Sequence, residues 1–427
     1  MNRFFRTISL VLFLGYALIG CSIKDEDPSN QDPVQDGQTS LTDFDIPDNF
    51  NYETTQEINL KISSENVSEP AVYSIYTIEE GNNYQLRGKA MSDPEGNLEY
   101  NTNFSKHIQS LYIKRHSQGV DHYEVVQLIS MIHKVEFTQF SQKVSASNAR
   151  TLQEADSDND GIVDALDDYP NDANKGFNNY YPSPGAYSSL AFEDLYPQRG
   201  DFDFNDIIIE YNINLVTNAD NNVVELDMDF VAKSVEAELP SGFAIELPFH
   251  ADSISNVTGS VLTGNVAFTG SKGLESGIVA SKPVVVVFDK STDILSGDGP
   301  VKSSDHIYIT VALSNPIALS ALGDVPYNPF IFVNNERERE VHLSGKTPTS
   351  KFNDAYLRAG EDVGGYKTVD NYPWGVHVPI HFAPPKENVD ITNAYLNFSE
   401  FATSGGTSKG NWYTMQEGNR NSNNLHE

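Results

Sequence analysis

Apolar and polar residues alternate through EINLKIS, which places Ile58, Leu60 and Ile62 on one side of an extended chain and Asn59 and Lys61 on the other. That period of two belongs to a half-buried strand. The runs AVYSIYTI, YQLRGKA, SLYIKR and YEVVQLISMI follow, and the turn-forming stretches EEGNN, SDPEGN and HSQG separate several of them. Strands at roughly 8–12-residue spacing predict a small β-sandwich over residues 50–145. It would be immunoglobulin-like or transthyretin-like, and periodicity does not choose between the two.

The same pattern returns after residue 177. In IIIEYNINLV, Ile207, Ile209, Tyr211, Ile213 and Leu215 share a face, as do Val224, Leu226, Met228 and Phe230 in NVVELDMDFVA. TNADNN lies between the two runs, so they predict a β-hairpin. VVVVFD at 284–289 is apolar on both sides and predicts a central buried strand. HIYITVAL and NPFIFVN add two more strands, and helical spacing is confined to a short segment near Tyr395 to Phe401. The expected fold class is all-β: a small N-terminal sandwich, then a larger sandwich or jelly-roll-like domain over 177–427.

At 427 residues the chain has room for two or three cores, and its 29 Gly and 21 Pro suit a turn-rich fold. Its 28 basic residues stand against 60 acidic ones, a net charge of −32. Such a chain is repelled by nucleic acid and by anionic membrane surfaces, so no nucleic-acid partner is expected. The single cysteine rules out an intrachain disulfide framework.

That cysteine is Cys21, at the end of MNRFFRTISLVLFLGYALIGC. Arg3 and Arg6 precede an apolar run from Ile8 to Ile19, too short to span a bilayer, which reads as a signal peptide over residues 1–20. Leu18-Ile19-Gly20-Cys21 resembles the bacterial lipobox. The resemblance implies cleavage before Cys21 and lipid on its thiol; the other reading is an ordinary secretory signal with a chance cysteine. Residues 21–49 are acidic, contain proline and offer little to pack, the composition of a flexible tether. Their opening, SIKDED, resembles the acidic signal that exports Bacteroidetes lipoproteins to the cell surface. The resemblance implies an outer-membrane lipoprotein exposed outside the cell, with the membrane as a partner through its N-terminal anchor.

Candidate chemistry is concentrated in aspartate. In DSDNDGIVDALDDYPND, residues 156–172, seven of seventeen positions are Asp and none is Lys or Arg. Counting Asp156 as first, Asp158 is third, Asp160 fifth, Asp164 ninth and Asp167 twelfth, with Gly161 sixth. This is calcium-loop spacing, in which the backbone carbonyl of Ile162 would be a further ligand. Two carboxylates about 4 Å apart repel by roughly 4 kcal/mol at an effective dielectric near 20, so a compact cluster needs a cation. All-oxygen ligands select Ca2+ over zinc or copper. With Asp rather than Glu at the twelfth place and Pro170 following, the loop resembles thrombospondin type 3-like repeats more than an EF-hand. It is expected to form a connector over 146–176; a solvated acidic linker is the bland reading.

A second cluster lies in FEDLYPQRGDFDFNDIIIEY, residues 192–211. Asp201, Asp203 and Asn205 alternate with Phe202 and Phe204, and the phase of the apolar positions reverses at Asn205-Asp206, so the chain must turn or bulge there. Four oxygen-bearing side chains above a buried strand, joined by Glu193 and Asp194, would make a second calcium site. Turn-capping by Asx-type hydrogen bonds is the equal alternative.

The DxDxDGxxDxxD loop, FEDLYP, GDFDFNDIIIEY, VTGSVLTGN, PFIFVN, EVHLSGKTPT with its His342, and PWGVHVP together resemble the LruC-type domain of Bacteroidetes lipoproteins, over residues 156–424. The resemblance implies a secreted β-rich module with an Asp-rich loop at its start. It implies no activity.

No GxSxG, HExxH, P-loop or CxxC motif is present, and no enzyme is expected. His377 and His381 in VHVPIH would share one face of a strand and form at most a weak metal site. Tyr180, Tyr181, Trp374, Trp412 and Tyr413 would stack on sugars if exposed, although core packing explains most aromatics. The expectation is a calcium-stabilised, surface-anchored binding or adhesion lipoprotein whose partner is a glycan or a host or cell-surface protein. A glycan-processing outer-membrane component and a structural envelope protein are the alternatives.

Overall fold

The alternating runs become strands in the computed structural model, which describes residues 38–64, 70–79, 83–128, 131–137, 155–237, 239–264, 270–278 and 282–427. The expected signal peptide, Cys21 and the first part of the tether lie outside the described residues. The N-terminal third supplies β1 (Thr55–Ser64), β2 (Val72–Glu79), β3 (Asn83–Met91), β4 (Asn97–Ser105), β5 (Ser110–Ser117), β6 (Val120–Gln127) and β7 (Ile132–Phe137). After the Asp-rich stretch come β8 (Phe177–Tyr181), β9 (Ser188–Phe192), β10 (Ile207–Thr217), β11 (Asn222–Val235), β12 (Ser241–Glu246) and β13 (Ile254–Thr258). β14 (Val284–Phe288), β15 (Val301–Ser303), β16 (Ile307–Ala318), β17 (Asn328–Val333), β18 (Glu340–His342) and β19 (Gly375–Val378) precede two short helices, α1 (Ile391–Ala394) and α2 (Phe398–Thr403). The fold is all-β, as the alternation predicts.

Three sheets form. β1 sits between an antiparallel β4 and a parallel β7. A large sheet runs β13-β16-β11-β10-β8-β3-β2-β5-β6, with β15 on β11 and β9 between β10 and β19. The third is β14-β12-β17-β18. The expected hairpin is β10–β11, with Tyr211 opposite Phe230 and Ile213 opposite Met228. β10 is buried on both faces, its odd-numbered residues in the main core and Ile208 in a second one. VVVVF is likewise buried on both faces, but β14 is an edge strand rather than a central one. The segment around Val261 covers that edge, its amide donating to Val287 O at 2.8 Å.

The core runs across the expected domain boundary at 146–176. Ile58, Tyr73, Ile113 and Phe137 share one buried cluster with Leu190, Ile213, Phe243 and Trp374, and Thr39–Glu427 is a single compact unit. The two sets of strands meet where Gly88 of β3 pairs with Asn179 of β8. A Cβ on Gly88 would lie 2.0 Å from Asn179 Oδ1 and 2.4 Å from the Tyr100 hydroxyl, so only glycine permits this approach.

The expected tether also ends earlier than residue 49. Leu41, Ile46, Phe50 and Tyr52 are buried with Phe398, Phe401 and Trp412. Asp390 Oδ2 accepts from Leu41 N at 2.6 Å, and Asn371 Nδ2 donates to Pro47 O and Phe50 O, both at 2.8 Å. The few apolar residues of this polar stretch are enough because a ready-made aromatic cluster receives them.

Candidate cation-binding clusters

The Asp-rich loop curls because its own aspartates bond its backbone. Asp156 accepts from Asn159 N at 2.8 Å and Gly161 N at 3.1 Å, Asp160 from Ile162 N at 2.7 Å, and Asp167 from Tyr169 N at 2.7 Å. Gly161 takes φ +97, the left-handed region that glycine occupies without strain. Asp156, Asp158 and Asp160 thereby each present an oxygen within 4.8 Å of the others. Asp167 joins them electrostatically: burial first, then Asp160 and Asp158, push its carboxyl up to about 6. Burial and the neighbours Asp158 and Asp156 also raise Asp160. Three oxygens, Asp158 Oδ2, Asp160 Oδ2 and Asp167 Oδ2, are shut off from solvent with no hydrogen-bond partner. Asp164 turns elsewhere, both its oxygens accepting from Ser157 at 2.7 Å. The Ile162 side chain is buried between Val72 and Phe177, which pins the loop to both sets of strands.

The second cluster is built by a strained backbone. Phe202 and Phe204 have φ of 62 and 53, a region bulky residues seldom enter. Each such residue costs about 1–3 kcal/mol. Burying each ring, Phe202 against Tyr372 and Phe204 against Phe202, returns a similar amount. The curl keeps the two rings together in the core and turns the acids the other way. Glu193, Asp201 and Asp203 bring one oxygen each within 4.8 Å of one another. Glu193 lies over Gly200, where a Cβ would fall 1.8 Å from its Oε2.

The turn-capping bonds expected here are present, and they leave one oxygen each of Glu193 and Asn205 over. Glu193 Oε1 accepts from Phe204 N at 2.7 Å, and Asp203 Oδ1 from Asn205 N at 3.1 Å. Glu193 Oε2 and Asn205 Oδ1 have no partner, on residues that are 1% and 0% exposed. Burial, then Asp206, Asp201 and Asp203, raise Glu193 well above the usual range, and Asp203 is raised by burial, Asp201, Asp206 and Glu387. Asp194 and Asp206 stand beside the group rather than in it: Asp206 Oδ2 accepts from Asp194 N at 2.8 Å and Asp194 Oδ2 from Leu239 N at 2.9 Å.

The 384–390 loop is the part sequence reasoning missed. Asn388 N donates to Asp203 Oδ2 at 3.1 Å, and Pro385 O accepts from Asn205 Nδ2 at 3.2 Å, 180 positions away. PPKENVD carries no ligand spacing that would announce it.

Other candidates are not brought together. His377 is buried, its Nε2 2.8 Å from the Tyr211 hydroxyl, whereas His381 lies beyond β19 and pairs with Glu210. Trp374, Trp412, Tyr413 and Tyr181 are core residues, not an exposed sugar platform. The polar groups that meet in both clusters are carboxylate and amide oxygens, the donors a hard cation takes.

A family model described as a domain of unknown function (DUF4842) matches residues 221–413. None of the curated proteins matches the sequence. Among solved structures, the chain is similar to a protein described as a presumed lipoprotein from Bacteroides ovatus, determined at 2.08 Å. The TM-score is 0.52 at 14% identity, covering 83% of this chain and 99% of that one. At that identity the likeness speaks to the fold alone.

Proposed function

We propose that the chain is a calcium-stabilised, lipid-anchored surface protein of the outer membrane that serves as a binding or adhesion module. One observation carries the cation reading: carboxylate oxygens converge in both clusters, and in or beside them buried oxygens of Asp158, Asp160, Asp167, Glu193 and Asn205 lack a hydrogen-bond partner. A buried polar atom without a partner costs about 1–3 kcal/mol, and five of them sit in these two places. Asp156, Asp158, Asp160 and Asp167 would hold one Ca2+; Glu193, Asp201, Asp203 and Asn205 would hold the other. Oxygen-only donor sets fit this hard cation. Its service here is structural, replacing protons and repulsion with a shared positive charge.

The anchor rests on Leu18-Ile19-Gly20-Cys21 and is supported by the description of the Bacteroides ovatus protein. Among the described residues no helix is long and apolar enough to cross a membrane. The LruC-type and thrombospondin type 3-like resemblances agree with a secreted β-rich module and remain part of the proposal. Calorimetric titration should show two calcium ions per chain, with dissociation constants around 10⁻⁴–10⁻³ M, the range of extracellular modules. Heat indistinguishable from dilution at millimolar calcium would refute the cation reading. Cys21→Ser should release the protein from membranes or leave its signal uncleaved, and unchanged processing with membrane retention would refute the anchor.

A further inference from the structure

A cleft of about 370 Å3 opens beside the start of β1, between residues 51–57 and the segments 324–327 and 343–346. Neither cation cluster contributes to it. Its size suits a small-molecule or oligomer site. Thr54, Tyr327, Ser344 and His377 are buried residues of its wall, and Glu57, Asp324 and Lys346 are polar groups lining it. Two shallower depressions continue it. One of about 190 Å3 shares Asn51, Glu53 and Lys106, and the other, of about 290 Å3, shares Asp324, Tyr327 and Lys346. The result is a trough rather than a closed cavity.

Its chemistry is unfinished. Tyr327 is 5% exposed and its hydroxyl has no partner. Its backbone takes φ 68, a strained value for an aromatic residue. Among the described residues, the side chains of Glu57, Asp324 and Lys346 form no hydrogen bond or close ion pair, whereas Lys106 is 3.7 Å from Glu53. His377 is a neutral imidazole, pushed down to about 3 by burial and then Lys346. Asp324 is reachable by solvent, yet the surrounding walls and Glu57 lift its carboxyl to about 6.

These features narrow the ligand. Two unmatched carboxylates against one ammonium, on a chain of net charge −32, disfavour an anion. An apolar ligand would desolvate Glu57, Asp324 and Lys346 with nothing in exchange. A peptide cannot add as a strand to β1, which is already bonded to β4 and β7. A polyol fits this mixture, because each of its hydroxyls donates and accepts, and the wall supplies acceptors at Glu57 and Asp324 and a donor at Lys346. We propose that this trough is a binding site for a neutral oligosaccharide. It gives the proposed binding role a place and a ligand class, and rests on that reading while needing neither cation.

The test screens the full chain on an array of neutral and acidic oligosaccharides. The retained glycan is then titrated calorimetrically into wild type, Lys346→Met, Asp324→Asn and Tyr123→Ala, and calcium into the same samples. Lys346→Met removes the ammonium of an exposed side chain, Asp324→Asn keeps the shape of an exposed side chain, and Tyr123 on β6 does not line the cleft. A neutral glycan should be retained, with affinity falling roughly fivefold to tenfold in each cleft variant and unchanged in Tyr123→Ala. The assignment is overturned by calcium binding without glycan retention, by retention of acidic glycans only, or by cleft variants of wild-type affinity. Glycan retention without calcium binding overturns the cation reading and leaves the trough standing; absence of both overturns both.

Discussion

Asn205 shows how little of an acidic cluster's purpose lies in its charge. Its Nδ2 is bonded to Asp203 and to Pro385 O, so its Oδ1 is aimed by two other contacts and left without one. Asn205→Ala should therefore reduce the calorimetric stoichiometry from two calcium ions to one without disturbing the first site. Asp158→Ala with Asp160→Ala should produce the mirror result. The raised carboxyls also fix a pH dependence. Burial, with neighbouring acids behind it, pushes Asp167 up to about 6, Asp206 up to about 8 and Asp203 up to about 10, all above the ordinary aspartate range. A carboxyl whose folded pKa is raised favours the fold while protonated, so that contribution is intact at low pH and lost as pH rises through the folded values. Chelated protein should thus melt at progressively lower temperature between about pH 4 and pH 10. Calcium should protect more as pH rises and release protons on binding at pH 7, read as a binding enthalpy that varies with buffer ionisation heat.

At the scale of the element, the loop at 156–172 is fastened at more points than a free connector would be. Ile162 is buried between Val72 and Phe177, Lys89 pairs with Asp168 at 2.5 Å, and Asp168 Oδ2 accepts from Asn178 N at 3.0 Å. Calcium removal should expose this loop to protease between residues 155 and 176. The pieces should nonetheless stay together in gel filtration, because the core on either side is continuous. Separation of the fragments under native conditions would contradict the shared core. Ile162→Ala should cost about 2–4 kcal/mol and bring the same cleavage without a chelator, read in urea melts and digestion rates.

For the whole molecule, Gly88 is the decisive position, since β3 and β8 join the strands on either side of the Asp-rich loop there. Gly88→Ala must displace Asn179 or Tyr100, both buried and bonded to each other at 2.9 Å. Overpacking of this kind should lower stability by roughly 1–3 kcal/mol in denaturant titration. If the protein were two independent bodies, the same substitution would be silent in the melting of the C-terminal strands.

Local periodicity determined the elements: the alternation of Ile58, Leu60 and Ile62, and of the β10–β11 pair, is a property of neighbouring residues, and it is kept in the folded chain. The Asp spacing likewise determined where oxygens would gather, because a loop closed by its own aspartates needs no distant partner. Only the tertiary structure decided that β14 is an edge strand, that residues 39–49 pack, and that one core crosses residues 146–176. It alone brought Asn388 to Asp203 and placed Asp324 and Tyr327 opposite residues 51–57. Pairings between distant segments depend on which surfaces bury together, and no local repeat in the chain encodes that choice.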